Sequence, residues 1–579
     1  MSKPYKDFEP LWVQQAAPEK SWRSVFRWGD PTLVKYPKES LYKLMKEKFC
    51  MTDDDFSHYD GDIGYGEVTL STPCALAEDH LCALRAIVGE DFLSVDDYAR
   101  AAVAYGKTGY DALRLRKCKI DRAPDAVLYP DTTEQVEQIV AYCDEHAIPL
   151  YVYGGGSSVT RGVEATKGGV TLDMRRRFNK VISFNEIDQT ITVQAGMSGP
   201  QLESCLNDAM SQFGAKRAYT CGHFPQSFEY SSVGGWVVTR GAGQNSTYYG
   251  CISDIVAAQR YATPAGTVQT SCYPREATGP NLNQIMMGGE GTFGVLTEVT
   301  LRIFRYMPET RKRFSFIFKD WETSQRAARE MMQCEAGFSS VFRLSDPEET
   351  SLMLRLYNVD ETPLAPLLDL CGYKDMERCL FLGFTDGECG FSKNVAKNIK
   401  KIARRFGGMS LTGYVCKSWE HGRFTDPYLR DTLMDFGIVT DTLECTVNWS
   451  NMDQVHREVR EVCHALPNTI VTTHMSHCYP QGANLYFIFI TRMDNAEEFL
   501  HYHASILDAI CRSGAALSHH HGIGKMFAPW LESSLGTTEY GIIRTLKSYF
   551  DPHGVMNPGG TLGLDLVDSE RVKTVPRRV

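Results

Sequence analysis

The chain of 579 residues has no apolar run near the roughly 18 residues that a membrane-spanning helix requires, which excludes an integral helical membrane protein. Positive charge is not in excess either. Lys and Arg number 61 against 71 Asp and Glu, a formal net charge of -10, and this argues against a general binder of nucleic-acid phosphates. The 18 cysteines include no C-x-x-C pair and are scattered from Cys50 to Cys511, so a disulfide framework has no support and they read as reduced thiols. The opening MSKPYKDFEPLWVQQ lacks the charged start and apolar core of a secretory leader, and the closing VPRRV is not an S-K-L-type peroxisomal address. Internal repeats and low-complexity tracts are missing as well. What remains, 43% hydrophobic and 23% charged residues, is the composition of a soluble globular protein long enough for two or more folding units.

Order in the pattern begins after Arg122. AVLYP (126–130) reads as a buried strand, and Asp131 to Gln135 offers overlapping capping boxes before a helix whose Val136, Ile139, Val140 and Cys143 share one face. A strand over 148–153 follows, so the unit is strand, helix, strand, paired in parallel through a crossover. Further strands are expected over 170–173, 181–184, 190–195 and 296–304, with a helix over 200–208. Beyond a boundary at Met307-Pro308, strands over 314–318, 341–344, 379–384 and 485–490 alternate with helices over 321–332, 391–406 and 495–512, a split β-α-β sandwich covering one sheet face. Val395, Ile399, Ile402 and Phe406 form the buried face of the middle helix. The expected fold class is α+β. Its units are an irregular, partly helical 1–85 with turn-rich sequence at 59–67, a first unit over 86–307, a second over 308–528, and a turn-rich tail over 529–579 that returns to the first.

Three glycine-rich loops carry the chemistry of the first unit. Tyr153-Gly-Gly-Gly-Ser-Ser-Val-Thr160 follows a strand, and glycines there let consecutive backbone N–H groups approach an anion such as a pyrophosphate. It has neither Rossmann nor Walker spacing. EYSSVGGWVVTRGAG (229–243) adds hydroxyl donors to close-approach glycines, and GGEGTFGVLTEVTLRI (288–303) leads a third loop into a strand. Three such loops suggest a long dinucleotide.

With RAPDAVLYP upstream and DPHGVMNPGG near the end, these loops resemble the FAD-binding domain of the vanillyl-alcohol oxidase and p-cresol methylhydroxylase flavoproteins. The resemblance implies a two-subdomain FAD-binding domain with an α+β cap over the substrate. It implies that Gly154, Gly155, Gly156, Ser157 and Ser158 meet the FAD diphosphate, that Ser227, Ser232, Gly235 and Thr239 lie along the isoalloxazine and ribityl edge, and that Glu290, Thr292 and Val295 lie near the adenosine. The Gly154 to Ser158 loop holds no histidine, so FAD is expected to be non-covalent.

In the second unit the most specific tract is LSHHHGIGK (517–525). Three adjacent imidazoles are costly to bury without partners, which points to a polar cavity; in an extended stretch His519 and His521 would share one face. A zinc site is one reading, though acidic or cysteine ligands do not stand at motif spacing, and a solvated histidine run is another. The tract also resembles the triple-histidine motif of the alkyldihydroxyacetonephosphate synthase family. That family exchanges the acyl chain of acyl-dihydroxyacetone phosphate for a fatty alcohol through a flavin N5 adduct, without net oxidation, in ether-lipid biosynthesis. The resemblance implies that Tyr486 is the general acid or base, that Arg430 beside it favours the phenolate, and that His519, His520, His521, Arg343 and Lys525 orient the substrate and neutralise its phosphate. It implies also a homodimer, an apolar tunnel with peripheral membrane contact, and a peroxisomal or glycosomal location, with cytosol as the alternative since no targeting signal is seen. Related FAD-dependent D-2-hydroxy-acid dehydrogenases, the alternative function, carry an H-x-G-D-G-N-x-H metal motif where this chain reads His477-Cys-Tyr-Pro-Gln-Gly-Ala-Asn484, so a metal is not expected. Ser157, where many members have Thr, and Asn484, where Cys is frequent, are departures that bear on chain-length preference.

Overall fold

The structure, a computed structural model, describes residues 17–30, 32–35, 37–57 and 63–566. The stretch inspected for a leader, part of the turn-rich 59–67 tract and the closing VPRRV lie outside the described residues.

A four-stranded sheet is built from β1 (Leu93–Ser94), β2 (Ala126–Leu128), β3 (Leu150–Tyr153) and β4 (Val170–Asp173). The helix Thr133–Glu145 joins β2 to β3, with Val136, Ile139, Val140 and Cys143 buried beneath it. Its capping box is only half made. Thr132 accepts from the Gln135 N–H, while the Gln135 side chain accepts from Asp131 rather than from the cap residue. β2 and β3 are parallel but not adjacent, because the strand order is β1-β2-β4-β3 and β4 lies between them. β4 is buried along its whole length, which suits a central position.

β5 (Val181–Asn185), β6 (Thr190–Gln194), β8 (Val256–Thr263), β9 (Gly266–Gln269) and β10 (Val295–Arg302) form a five-stranded antiparallel sheet ordered β5-β6-β10-β8-β9. β7 (Tyr219–Thr220) and β11 (Phe304–Arg305) pair as a short ribbon. The tail does return to the first sheet: the Leu150 N–H donates to the Val555 carbonyl and the Asn557 N–H to the Leu150 carbonyl, both at 2.8 Å. It is less irregular than its sequence suggests, since the helices Gly524–Leu535 and Thr537–Phe550 precede the turns after Asp551.

The remaining strands are β12 (Lys312–Phe318), β13 (Val341–Ser345), β14 (Cys379–Thr385), β15 (Met409–Ser410), β16 (Ile438–Asn448), β17 (Ile470–Ser476) and β18 (Gly482–Arg492). They make one antiparallel sheet ordered β15-β12-β14-β13-β17-β18-β16. Apolar residues of the helices Trp321–Gln333, Cys389–Arg405, Met452–His464 and Ala496–Arg512 join one core with the strand residues Leu485, Phe487 and Phe489, so helices cover one face as expected. Phe406 caps its helix and is only partly buried. Because a strand alternates its side chains, Tyr486, Ile488 and Ile490 point to the other face, where the sheet meets the glycine loops. The strands β16 and β17 were not anticipated. Asp441, Glu444 and His474 interrupt their apolar pattern; Asp441 and His474 line the cavity, and Glu444 is fully buried.

The N-terminal helix Glu39–Lys48 packs on Leu433, Phe436 and Ile438, and Arg23 makes a fully buried two-pronged pair with Asp435 at 3.1 and 2.7 Å. No helix among the described residues is long and apolar enough to cross a membrane.

Candidate active site

A cavity of about 480 Å³ lies between the glycine loops and the open face of the seven-stranded sheet. Its floor is Gly154 to Ser158, Ser227, Ser232, Gly234, Gly235, Thr239, Glu290 and Gly291. The loops meet closely: a Cβ on Gly155 would stand 2.3 Å from the Tyr230 carbonyl and 2.5 Å from Ser231 Cα, so only glycine fits. Several floor hydroxyls also hold backbone. Ser232 accepts from the Gly235 N–H at 3.2 Å, Ser158 from the Gly162 N–H at 2.9 Å, and Thr239 donates to the Gly235 carbonyl. Thr292 and Val295 stand outside the cavity wall. Val295 is core in β10, and Thr292 reaches Thr561. His223 was not anticipated, although it immediately precedes the second glycine loop. It is fully buried, lines the cavity, and neither ring nitrogen has a hydrogen-bond partner; burial pushes its pKa down to about 3. An orphaned imidazole and a floor of glycines and hydroxyls are what a polar, planar, diphosphate-bearing cofactor would complete, so the residues present fit FAD.

The opposite wall is built by register. Glu444, Tyr486 and His474 stand directly across from one another on β16, β18 and β17. Tyr486 donates to the Thr442 hydroxyl at 3.1 Å, stacks on His474 with centroids 4.9 Å apart, and meets the His521 ring edge-on at 5.5 Å. Burial, assisted by the Glu444 and Asp441 carboxylates, pushes its pKa up to about 12, so the phenol is neutral at physiological pH. The cation acting on it is Arg343, whose guanidinium meets His474 Nε2 at 3.0 Å and donates to Glu349. Arg430 holds a different set of partners. It lines the cavity over the Trp28 ring and donates to the Lys107 carbonyl, because Trp28 is drawn there by the Asp431 carboxylate accepting its N–H.

The triple-histidine tract is held from two sides. The Glu444 carboxylate, fully buried, accepts the backbone N–H groups of His519, His520 and His521 and the Ser518 hydroxyl. The Glu290 carboxylate, from the floor, accepts those of Ile523 and Gly524 at 2.7 and 2.9 Å. Gly524 is left-handed, and a Cβ there would stand 2.0 Å from the Thr160 carbonyl. His520 and His521 line the cavity, whereas His519 turns to Tyr479. Burial first, then neighbouring imidazoles, hold His520 well below its ordinary pKa, and burial lowers His521 despite Glu444. Glu444, His519 and His520 offer ligand atoms within 4.8 Å of one another, but the carboxylate is already engaged by backbone donors. Lys525 is buried away from the cavity wall and donates to Asn557 at 2.9 Å, so it ties the tract to the returning tail. Beyond the anticipated residues, Trp28, Trp419, Phe342, Leu429 and Ile488 add apolar side chains to the cavity lining.

Residues 124–271 match the FAD binding domain family and residues 307–561 the C-terminal domain of FAD linked oxidases. A solved p-cresol methylhydroxylase with substrate bound superposes with a TM-score of 0.64 at 17% identity, covering 85% of this chain and 98% of its own. The two family matches thus define an FAD-binding flavoprotein of the FAD linked oxidases, with the fold of p-cresol methylhydroxylase. A solved alkyldihydroxyacetonephosphate synthase superposes more closely, with a TM-score of 0.78 at 24% identity over 93% of this chain and 98% of that one. The alkyldihydroxyacetonephosphate synthase of Dictyostelium discoideum is 30% identical over 497 residues, 82% of this chain and 79% of the relative, and the chain belongs to the alkyldihydroxyacetonephosphate synthase family.

Proposed function

We propose that the protein exchanges the acyl chain of acyl-dihydroxyacetone phosphate for a long-chain fatty alcohol, an alkylglycerone-phosphate synthase of ether-lipid biosynthesis. The observation that carries this reading is the neutral Tyr486 phenol set between His474 and His521 on the wall facing the flavin loops. FAD, when bound, supplies a ring nitrogen nucleophile for a reaction with no net redox change. Gly154 to Ser158 would hold its diphosphate, with Ser227, Ser232, Gly235, Thr239 and His223 along its length. Residues 86–307 and the described part of 529–579 form the cofactor unit in this reading, and 308–528 the cap.

Tyr486 is the acid–base group facing the reacting carbon: burial pushes its phenol up, and Arg343 favours the phenolate that takes the proton of the arriving alcohol. Arg343 and His521 present donors to the substrate phosphate, and the apolar lining residues Leu429, Ile488 and Ile490 offer surface to the alkyl chain. Peroxisomal location, homodimerisation and contact with a membrane surface follow from family membership and the amphiphilic substrates. Binding to liposomes in co-sedimentation supports the last, and full recovery in the supernatant removes it.

Purified holoprotein with palmitoyl-dihydroxyacetone phosphate and labelled hexadecanol, without an electron acceptor, should give an alkyl-ether lipid and free palmitate. Absence of that product together with flavin reduction by D-2-hydroxy acids would move the protein to the dehydrogenases. Acid precipitation should release the flavin, and colour retained by the denatured chain would overturn non-covalent binding.

A further inference from the structure

The exchange proposed above leaves one proton behind in a closed site. The bond from the substrate carbon to the acyl oxygen breaks, its electron pair leaving with the fatty acid as a carboxylate. A bond from that carbon to the alcohol oxygen forms, and the alcohol O–H proton is released; no electrons are gained or lost overall. At neutral pH the carboxylate does not retain that proton, so one proton must leave the cavity in each turnover.

A continuous hydrogen-bonded path leads out from the cavity wall. His520 lines the cavity, and its Nδ1 is 3.0 Å from His519 Nδ1, which leaves Nε2 of the same ring for the cavity. His519 passes on through its other nitrogen, Nε2, 2.8 Å from the Tyr479 hydroxyl. That hydroxyl stands 3.0 Å from Cys251 Sγ. Cys251 is half-buried, and its thiol is the outermost group of the path. Each imidazole is thus engaged so that a proton can arrive at one nitrogen and depart from the other, the geometry of a relay rather than of a proton store. We propose that His520, His519, Tyr479 and Cys251 form a relay that carries the alcohol proton from the cavity to the protein surface.

Two further features suit the path to transfer. Burial and neighbouring imidazoles hold His520 well below its usual pKa, so a proton received there is passed on. The Glu444 carboxylate fixes the backbone of both histidines, which keeps the His519–His520 contact in register. Tyr479 and Cys251 lie outside the cavity wall, so a change at either leaves the substrate-contacting residues in place.

The inference rests on the exchange reading, and the experiment separates the two. Alkyl-ether formation by holoprotein is measured in water and in deuterium oxide for the wild type and for Tyr479→Phe, Cys251→Ala and Cys251→Ser, with flavin absorbance and melting temperature as controls of folding. Tyr479→Phe should lower kcat by about tenfold or more, leave KM for the acyl substrate within twofold, and raise the solvent isotope effect on kcat. Cys251→Ala should do the same more weakly, and Cys251→Ser, which puts a hydroxyl in place of the thiol, should recover most of the rate. Wild-type turnover by Tyr479→Phe, a loss confined to KM, or an unchanged isotope effect would overturn the relay while leaving the exchange reading intact. Absence of ether lipid from the flavin-loaded wild type would overturn the exchange reading itself.

Discussion

The two walls of the cavity do their work with different parts of the chain. The floor is almost entirely backbone: glycines, capping hydroxyls and carbonyls, with few charged side chains. Its buried carboxylate Glu290 is answered by backbone N–H donors, as Glu203 of the helix Gly199–Asn207, off the cavity, is by N–H, hydroxyl and amide donors, and desolvation pushes both up to about 7. The cap wall is side chains on a rigid sheet. There Glu349 is paired with His474 and Arg343, which outweigh its burial and hold it at about 2. A surface that must grip a fixed, extended cofactor can use backbone geometry, whereas one that must move protons and hold a reacting substrate needs titratable groups.

Exchanging one wall at a time tests that division. The largest effect is expected at Tyr486→Phe, a loss of about 10²- to 10⁴-fold in kcat with flavin absorbance unchanged. Near-normal turnover would take the acid–base role away from the wall. Next comes Arg343→Met, which leaves Glu349 buried without its guanidinium and should destabilise the fold by about 3 kcal/mol in urea titration. The double variant with Glu349→Gln should recover much of that loss, and additive losses would deny the coupling. On the floor, Gly155→Ala should weaken FAD binding by about tenfold, read by fluorescence titration of the apoprotein, while the histidine wall stays folded.

The smallest effect concerns pH. Glu203 keeps its proton in the folded state to about 7, whereas a free glutamate releases it near about 4.3. Its contribution is therefore complete below that lower value and is lost as pH rises through about 7. Glu349 has the opposite sign: its contribution is present above about 4.3 and lost as pH falls toward about 2. Glu203→Gln should flatten the fall in melting temperature between pH 5 and 8, and an unchanged slope would remove Glu203 as its source.

The floor was the more legible wall because its signals are local: three glycine loops each sit within about a dozen residues of sequence. Tyr486 and the three histidines were legible through family resemblance. Their environment was not, since Glu444, His474 and Trp28 come from strands and segments far apart in the chain and meet only through register and packing. Among the strands that were missed, β16 and β17 have polar residues at cavity-facing positions, which broke the apolar pattern that would have revealed them. Arg430 and Lys525 illustrate the converse. A motif match located them in sequence, but a Trp28 ring and an Asn557 amide determine where their charges lie.

The tract from Ser518 to Gly524 is gripped by Glu444 on one side and by Glu290 on the other, less than one helical pitch apart along the chain. Swinging the cap away as a hinged jaw would strip one of these carboxylates of its donors in a dry interior, a cost no substrate contact at the hinge would repay. The molecule is therefore built to be threaded, not opened. The two halves stay sewn together at this tract.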